Sequence, residues 1–303
     1  MIKNIIKRYI NKLPYIKALI KQANLYDLSN PPGHYYSPII SVEEIKKQEN
    51  EIFAIKSNKI AGIDLNENEQ VRLLNEFAKT YQSIPFTEER QITLRYYYNN
   101  DWYRYSDAIF LHLVIRYFKP KSIIEVGSGF SSAVMLDTND LFFDGAINTT
   151  FIEPYPERLL SIFTEADNEK HKIIRINLQD VNLEVFDNLE ENDILFIDST
   201  HVTKTNSDVN KIFFEILPRL KKGVLIHFHD IFYPFEYPKK WVLEWKGFGW
   251  NEDYILRAFL MHNTEYRIVL FNTFLEHFHL EWFREHMPLC LKDEGGSIWL
   301  QKL

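Results

Sequence analysis

The chain has 303 residues, 46% of them hydrophobic and 25% charged, the make-up of a soluble globular protein with one large domain or two smaller ones. Its net charge of −7 argues against a general nucleic-acid binder, which carries a basic surplus. One cysteine, Cys290, excludes an internal disulfide and a cysteine-built zinc site, and fits a reducing, cytoplasmic setting. No apolar run reaches membrane-span length, and lysines interrupt the N-terminal apolar residues, so neither a span nor a signal peptide is expected. Aromatics make up 15%, many outside the predicted strands, where they either wall a ligand or pack a core.

Residues 1–23 carry Lys3, Lys7, Arg8, Lys12, Lys17 and Lys21 and no acid, with Ile2, Ile5, Ile6, Tyr9, Ile10 and Leu13 at helical spacing. Such a helix docks its apolar face on its own protein or a second subunit, or makes peripheral contact with an anionic membrane. The turn-rich stretch Pro31 to Pro38, with His34, Tyr35 and Tyr36, reads as a strap or a pocket wall. Ser41 starts a helix, and a second runs over 67–81 with Val71, Leu73, Leu74, Phe77 and Ala78 on its apolar side. Ser106 or Asp107 is placed to cap a helix whose body, 108–118, is apolar nearly all round and so buried. Residues 1–105 thus form a helical N-terminal extension on a main domain of 106–303.

From Ser122 strand and helix alternate. Predicted strands are 122–126, 149–152, 172–176, 193–197, 224–229, 266–271 and 297–301, with helices near 131–137, 156–166, 207–217 and 251–262. This is an α/β, doubly wound, mostly parallel seven-stranded sheet. A long insert, 272–294, precedes the last strand, so a hairpin-like pair with one antiparallel strand is expected at that edge.

Ligands of such sheets sit at the carboxyl ends of the strands. The first strand ends in Gly127-Ser128-Gly129, where a side chain would keep a ligand from the backbone; Ser132 stands where a dinucleotide turn has its third glycine. The second ends in Glu153, a carboxylate able to accept two ribose hydroxyls. Asp180 follows the third and can accept an adenine amino group. The fourth ends in Asp198, then Ser199, Thr200 and His201; the fifth ends in His227-Phe228-His229-Asp230. His227 reads as a core residue. Phe232 to Tyr237, Trp241, Trp245, Phe248 and Trp250 form a wall or lid after the fifth strand.

Glu125-Val126-Gly127-Ser128-Gly129, Phe151-Ile152-Glu153, Leu178-Gln179-Asp180, Leu195 to His201 and His227 to Ile231 together resemble the class I S-adenosylmethionine-dependent methyltransferases. The closer likeness is to bacterial small-molecule enzymes with acid-x-x-histidine after strand four and His-Asp after strand five. It covers about residues 105–303, and the Pro32 to Pro38 stretch is similar to the same subgroup. The resemblance implies a Rossmann-like methyltransferase fold and cofactor contacts from Glu125, Gly127, Ser128 and Gly129. Glu153 would hold the ribose, Asp180 the adenine, and Asp198 would lie near the sulfonium.

The sulfonium methyl is already electrophilic, so such an enzyme aligns a nucleophile and removes its proton. His201, His229 and Asp230 are the candidates for that work. Magnesium on Asp198 and Asp230 is a second expectation; zinc on His201, His227 and His229 is disfavoured. The expected activity is methylation of a small molecule, most simply at a hydroxyl oxygen of a sugar or natural product, by a chain that can form homo-oligomers. The alternatives are a non-catalytic module or scaffold of the same fold, and a nicotinamide oxidoreductase, which Ser132 disfavours.

Overall fold

The computed structural model describes residues 13–18, 30–245, 248–293 and 295–303. Seven strands form one sheet: β1 (Ser122–Val126), β2 (Asn148–Ile152), β3 (Lys172–Ile174), β4 (Ile194–Ile197), β5 (Leu225–His229), β6 (Tyr266–Phe271) and β7 (Ser297–Lys302). Their order is β3-β2-β1-β4-β5-β7-β6. β1 to β5 pair in parallel; β7 is antiparallel to both β5 and β6. The antiparallel strand therefore lies inside the sheet, and β6 forms the edge.

The central strands are apolar because helices cover both faces of the sheet. Ile194, Leu195, Phe196 and Ile197 are all buried, as are Leu225, Ile226 and Phe228. The helix Tyr105–Phe118 is buried from Tyr105 through Ile115, as its all-round apolar sequence requires. Neither Ser106 nor Asp107 caps it, because the helix already starts at Tyr105. Asp107 instead accepts hydrogen bonds from Asn272 Nδ2 at 3.0 Å and from the Gly296 amide at 3.2 Å. The helix Glu67–Tyr81 buries Leu73, Leu74, Phe77 and Tyr81. The insert before β7 folds into the helices Asn272–Phe278 and Leu280–His286 and a tight turn, Pro288–Lys292.

Strand order reverses between β1 and β4, so a crevice opens at their carboxyl ends. Ladder bonds align the rim. Gly127 N–H donates to Ile152 O at 3.0 Å, Asp198 N–H to Val126 O at 2.9 Å and Glu153 N–H to Ile174 O at 3.1 Å.

The chain divides into two compact units, one of residues up to Phe53 with Lys239–Gly249, the other of Ala54–Pro238 with Trp250–Leu303. The expected division at residue 105 falls inside the larger unit, for a physical reason. Arg95 donates to the buried Asp137 and Asp167, each at 2.8 Å, and to Asp140 at 2.8 Å. Asp137 also accepts the Arg95 and Tyr96 amides. Residues 95–98 are thereby bound to the helices Phe130–Phe143 and Glu165–Lys170.

In the smaller unit Ser41 Oγ caps the helix Val42–Lys47 by accepting the Glu44 amide at 3.3 Å. His34 stacks on Tyr35, Tyr36 meets both rings at a tilt, and both tyrosines are largely exposed. Most of the basic stretch 1–23 lies outside the described residues. Among those described, no helix is long and apolar enough to cross a membrane.

Replacing Arg95 by methionine leaves two buried carboxylates without their cation, and is expected to lower unfolding free energy by about 3–5 kcal/mol. Urea titration measures this; a loss under about 1 kcal/mol would show that the clamp is not what holds residues 95–98.

Candidate active site

The turn after β1 is built from beneath. Glu125 is fully buried, and its carboxylate accepts Ser131 Oγ at 2.6 Å and also the Ser132 hydroxyl. Ser132 Oγ in turn accepts the Gly129 amide at 3.0 Å. The serine in the third-glycine position therefore clips the turn to the first turn of the following helix. Burial pushes the Glu125 carboxyl up to about 8, against the pull of the two serines. Glu125 does not line the cleft, so its expected cofactor contact is replaced by a bracing role. Gly127 has φ of +78°, and a Cβ there would stand 1.8 Å from the Asp198 carbonyl oxygen. Only glycine fits.

Above this turn lies a cavity of about 380 Å³. From the expected set it is lined by Gly127, Ser128, Gly129, Glu153, Asp198, His201, His229 and Asp230. Trp102, Tyr103, Arg158 and Trp250 complete the walls. A larger cavity of about 460 Å³ near Asn66, Arg72 and Arg267 contains none of the strand-end residues. Glu153 accepts the Ser128 amide at 3.1 Å and the Tyr155 amide at 2.8 Å, which fixes its carboxylate beside the turn. Asp180 ends the turn Leu178–Asp180, is exposed, and is not among the lining residues. A glycine turn open to the backbone, a fixed acid one strand away and a nucleoside-sized cavity fit S-adenosylmethionine.

A polar cluster gathers in the cleft wall. His201 Nε2 stands 3.4 Å from Asp198 Oδ1 and 3.6 Å from Asp230 Oδ2, while Nδ1 is 2.8 Å from the buried Glu252 Oε2. His201 and Asp230 both occupy the left-handed region, with φ of 58° and 55°. The His201 loop is tied down because its carbonyl accepts the Asn251 and Glu252 amides at 3.0 and 3.2 Å. Asn251 precedes the helix Glu252–Leu260 as expected, but its side chain accepts the Thr203 amide instead of capping. The His201 ring packs against Trp250 at 4.4 Å between centroids.

These contacts set the charges. Burial works against a cation at His201, yet hydrogen bonds to Asp198 and Glu252 push it well above the ordinary histidine range. Burial likewise opposes the charge on His229, and the field of Asp230, Asp198 and Asp107 raises it. Asp198 is held below the usual carboxylate range because its two histidine neighbours outweigh burial. Asp230 is raised, chiefly by burial. His201 is thus a resting cation, and Asp230 is the carboxylate tuned toward taking a proton. Asp198, His201 and Asp230 also bring one ligand atom each to within 4.8 Å of one another.

His227 stacks on Phe196 at 3.9 Å and meets Trp299 at 4.6 Å, and burial drives it well below the usual range; it is a neutral core residue. Of the aromatic stretch after β5, Phe232, Tyr233, Phe235 and Tyr237 are buried, and Trp250 lines the cleft. Sequence reasoning missed Glu252, Arg158 and the Trp102-Tyr103 pair. Arg158 had a signal, five residues past Glu153 at the start of the next helix; Glu252 had none, because only the fold brings it to His201.

A family model described as a methyltransferase domain matches residues 124–231, the span from β1 to just past Asp230. The chain belongs to the class I S-adenosylmethionine-dependent methyltransferases. An uncharacterized protein of Archaeoglobus fulgidus is 37% identical over 170 residues, 54% of this chain and 74% of that one. Among solved structures, the S-adenosylhomocysteine-bound Podospora anserina methyltransferase PaMTH1 is 15% identical, covers 81% of this chain and 99% of its own, and has a TM-score of 0.43. The Streptomyces achromogenes O-methyltransferase TomG is 13% identical over 86% of this chain and 96% of its own, with a TM-score of 0.41.

Two outcomes follow for this methyltransferase. Glu125 is protonated when folded up to about pH 8 but ionises near 4.5 when unfolded. Its contribution to stability therefore falls as pH rises between those values, by about 1.4 kcal/mol per pH unit. Glu125→Gln is expected to remove that slope in urea titrations run at several pH values; an unchanged slope would refute the assignment. Glu153→Ala is expected to weaken S-adenosylhomocysteine binding about 10- to 100-fold by calorimetry, since hydrogen bonds to a charged group are lost. Equal affinity would remove Glu153 from the cofactor site.

Proposed function

We propose that this methyltransferase transfers the methyl group of S-adenosylmethionine to a hydroxyl oxygen of a small molecule. The observation that carries the reading is the cluster of Asp198, His201 and Asp230 in the wall of the cleft that also holds the glycine turn. An oxygen acceptor must lose a proton as it attacks, and this cluster provides for one. In the transfer the acceptor oxygen bonds to the methyl carbon, the carbon–sulfur bond breaks, and S-adenosylhomocysteine leaves. Asp230, raised above the ordinary carboxylate range, takes the hydroxyl proton. His201, kept cationic by Asp198 and Glu252, offsets the negative charge gathering at the acceptor oxygen. Tyr103 and Trp250 close the cleft against water. The buried Cys290 and its raised thiol suit a reducing, cytoplasmic setting.

A second reading is favoured by the same three side chains. Their donor set, two carboxylates and an imidazole whose other nitrogen meets Glu252, fits a divalent cation. An imidazole ligand suits manganese, iron or zinc better than magnesium. Such an ion would lower the pKa of an acceptor hydroxyl.

The test uses methyl-labelled cofactor with a panel of hydroxyl-bearing sugars and phenols and a cell extract, read by mass spectrometry. Label is expected in methyl ethers; label on nitrogen, or none transferred to any fraction, overturns the reading. Asp230→Asn is expected to lower turnover about 10²- to 10⁴-fold while S-adenosylhomocysteine still binds. Activity that survives exhaustive chelation supports Asp230 as the proton acceptor; activity lost and restored by manganese or magnesium supports the ion.

A further inference from the structure

The walls of the cleft carry three acids, Glu153, Asp198 and Asp230, yet one end of S-adenosylmethionine is itself an α-carboxylate. Those acids suit ribose hydroxyls, an ammonium or a sulfonium. A carboxylate needs a donor. Among the described residues lining the cleft, Arg158 is the sole lysine or arginine. It stands on the helix Glu157–Ile162, which leaves the same strand end as Glu153.

Three observations set Arg158 apart from a solvated surface charge. Its guanidinium lies over the Trp102 ring, 4.0 Å from the centroid. Trp102 is 61% exposed, so the ring is held at the cleft mouth and not in the core. No carboxylate among the described residues stands within hydrogen-bonding distance of the Arg158 guanidinium, which acts on Asp198 through its field alone. Gly129 supplies the third. Its φ of −177° is extended backbone that any residue adopts. A Cβ there would stand 3.1 Å from Arg158 Cδ. The Arg158 stem thus crosses the turn closely enough that a side chain at position 129 would make it shift by a few tenths of an ångström.

Stacking on an aromatic face fixes the plane of a guanidinium and leaves its edge N–H groups free. That edge matches a carboxylate, which accepts two parallel hydrogen bonds from it. We infer that Arg158, held flat by Trp102 and admitted by Gly129, receives the α-carboxylate of the cofactor's methionine part. The inference rests on S-adenosylmethionine as cofactor and is independent of an oxygen acceptor.

The test compares two ligands by calorimetry. S-adenosylhomocysteine carries the amino-carboxylate end; 5′-methylthioadenosine has the same nucleoside and thioether without it. Arg158→Met is expected to weaken S-adenosylhomocysteine about 10- to 100-fold and to leave methylthioadenosine within about twofold. Arg158→Lys is expected to recover part of the loss, and Trp102→Leu to weaken S-adenosylhomocysteine alone, by a smaller factor. Methylthioadenosine binding also reports that each variant is folded. Unchanged S-adenosylhomocysteine affinity in Arg158→Met overturns the inference, including the case where only the acceptor KM rises, which would assign Arg158 to an anionic acceptor. Equal loss of both ligands overturns it as well, giving Arg158 a role toward the nucleoside. A wild-type chain that binds neither ligand would instead sink the cofactor reading itself.

Discussion

The site depends on how closely the exits of β1 and β4 approach each other. The missing side chain of Gly127 lets the Asp198 carbonyl pass where a Cβ would be. That approach brings Asp198 to the rim beside the glycine turn, and the Asp198 amide bond to Val126 fixes it there. Glu153 arrives from the other side by the same ladder logic, one strand over. The cleft is thus a product of sheet register: a slip of one residue would turn every strand-end side chain to the opposite face. Glu125 and its two serines keep the turn from relaxing away from this geometry. They do so with a fully buried carboxyl, which is the costly way to hold a loop and the rigid one.

A second constraint is electrostatic. Asp198, Asp230 and Glu252 converge on His201, and among the described residues the charge of Arg158 reaches this group only at Asp198. Acids gathered so closely, with Glu252 fully buried among them, call for compensating positive charge. The raised His201 and His229 supply it in the protein alone, and a bound cation supplies it in the second reading. The backbone bears part of the burden too. His201 and Asp230 both hold left-handed conformations, at a cost of about 1–3 kcal/mol each where local bonding does not offset it. The two amide bonds to the His201 carbonyl are such an offset. Strain and buried charge at the same residues are the mark of a site held for chemistry and not for stability alone.

Much of this was legible in the sequence because it follows from periodicity and punctuation. Seven strands, the antiparallel pairing of the last and the acids at strand ends were read from apolar runs that stop at Gly127, Glu153, Asp198 and His229. What the sequence hid has three physical causes. Asp107 and Asn251 look like helix caps, but tertiary partners, Gly296 and Thr203, outbid the local amides for their side chains. The aromatic run from Phe232 to Tyr237 has the composition of a wall, and composition does not say which face is buried. Glu125 sits in the motif beside the glycines, yet a strand's alternation points it beneath the turn, where Ser131 and Ser132 reach it. Arg95 escaped notice altogether, since its three carboxylates lie far along the chain and meet it only after folding.

The remaining asymmetry explains why the cofactor is readable from this chain and the acceptor is not. Every residue given a part toward the cofactor or the departing proton, apart from Trp102, lies within 124–231, the span the methyltransferase family model matches. The walls that complete the cleft come from outside it: Trp102 and Tyr103 before the first strand, Trp250 after the fifth, with Glu252 behind His201. The cofactor is the same molecule throughout the class, so its half of the cleft can be built from short strand-turn-helix signals. An acceptor is bounded by side chains on segments that the sheet does not dictate. Their positions are set by contacts distant along the chain, such as the Tyr103 ring against His229 and the Trp250 ring against His201. The walls outside the matched span are therefore set by tertiary placement, and no spacing along the chain encodes them.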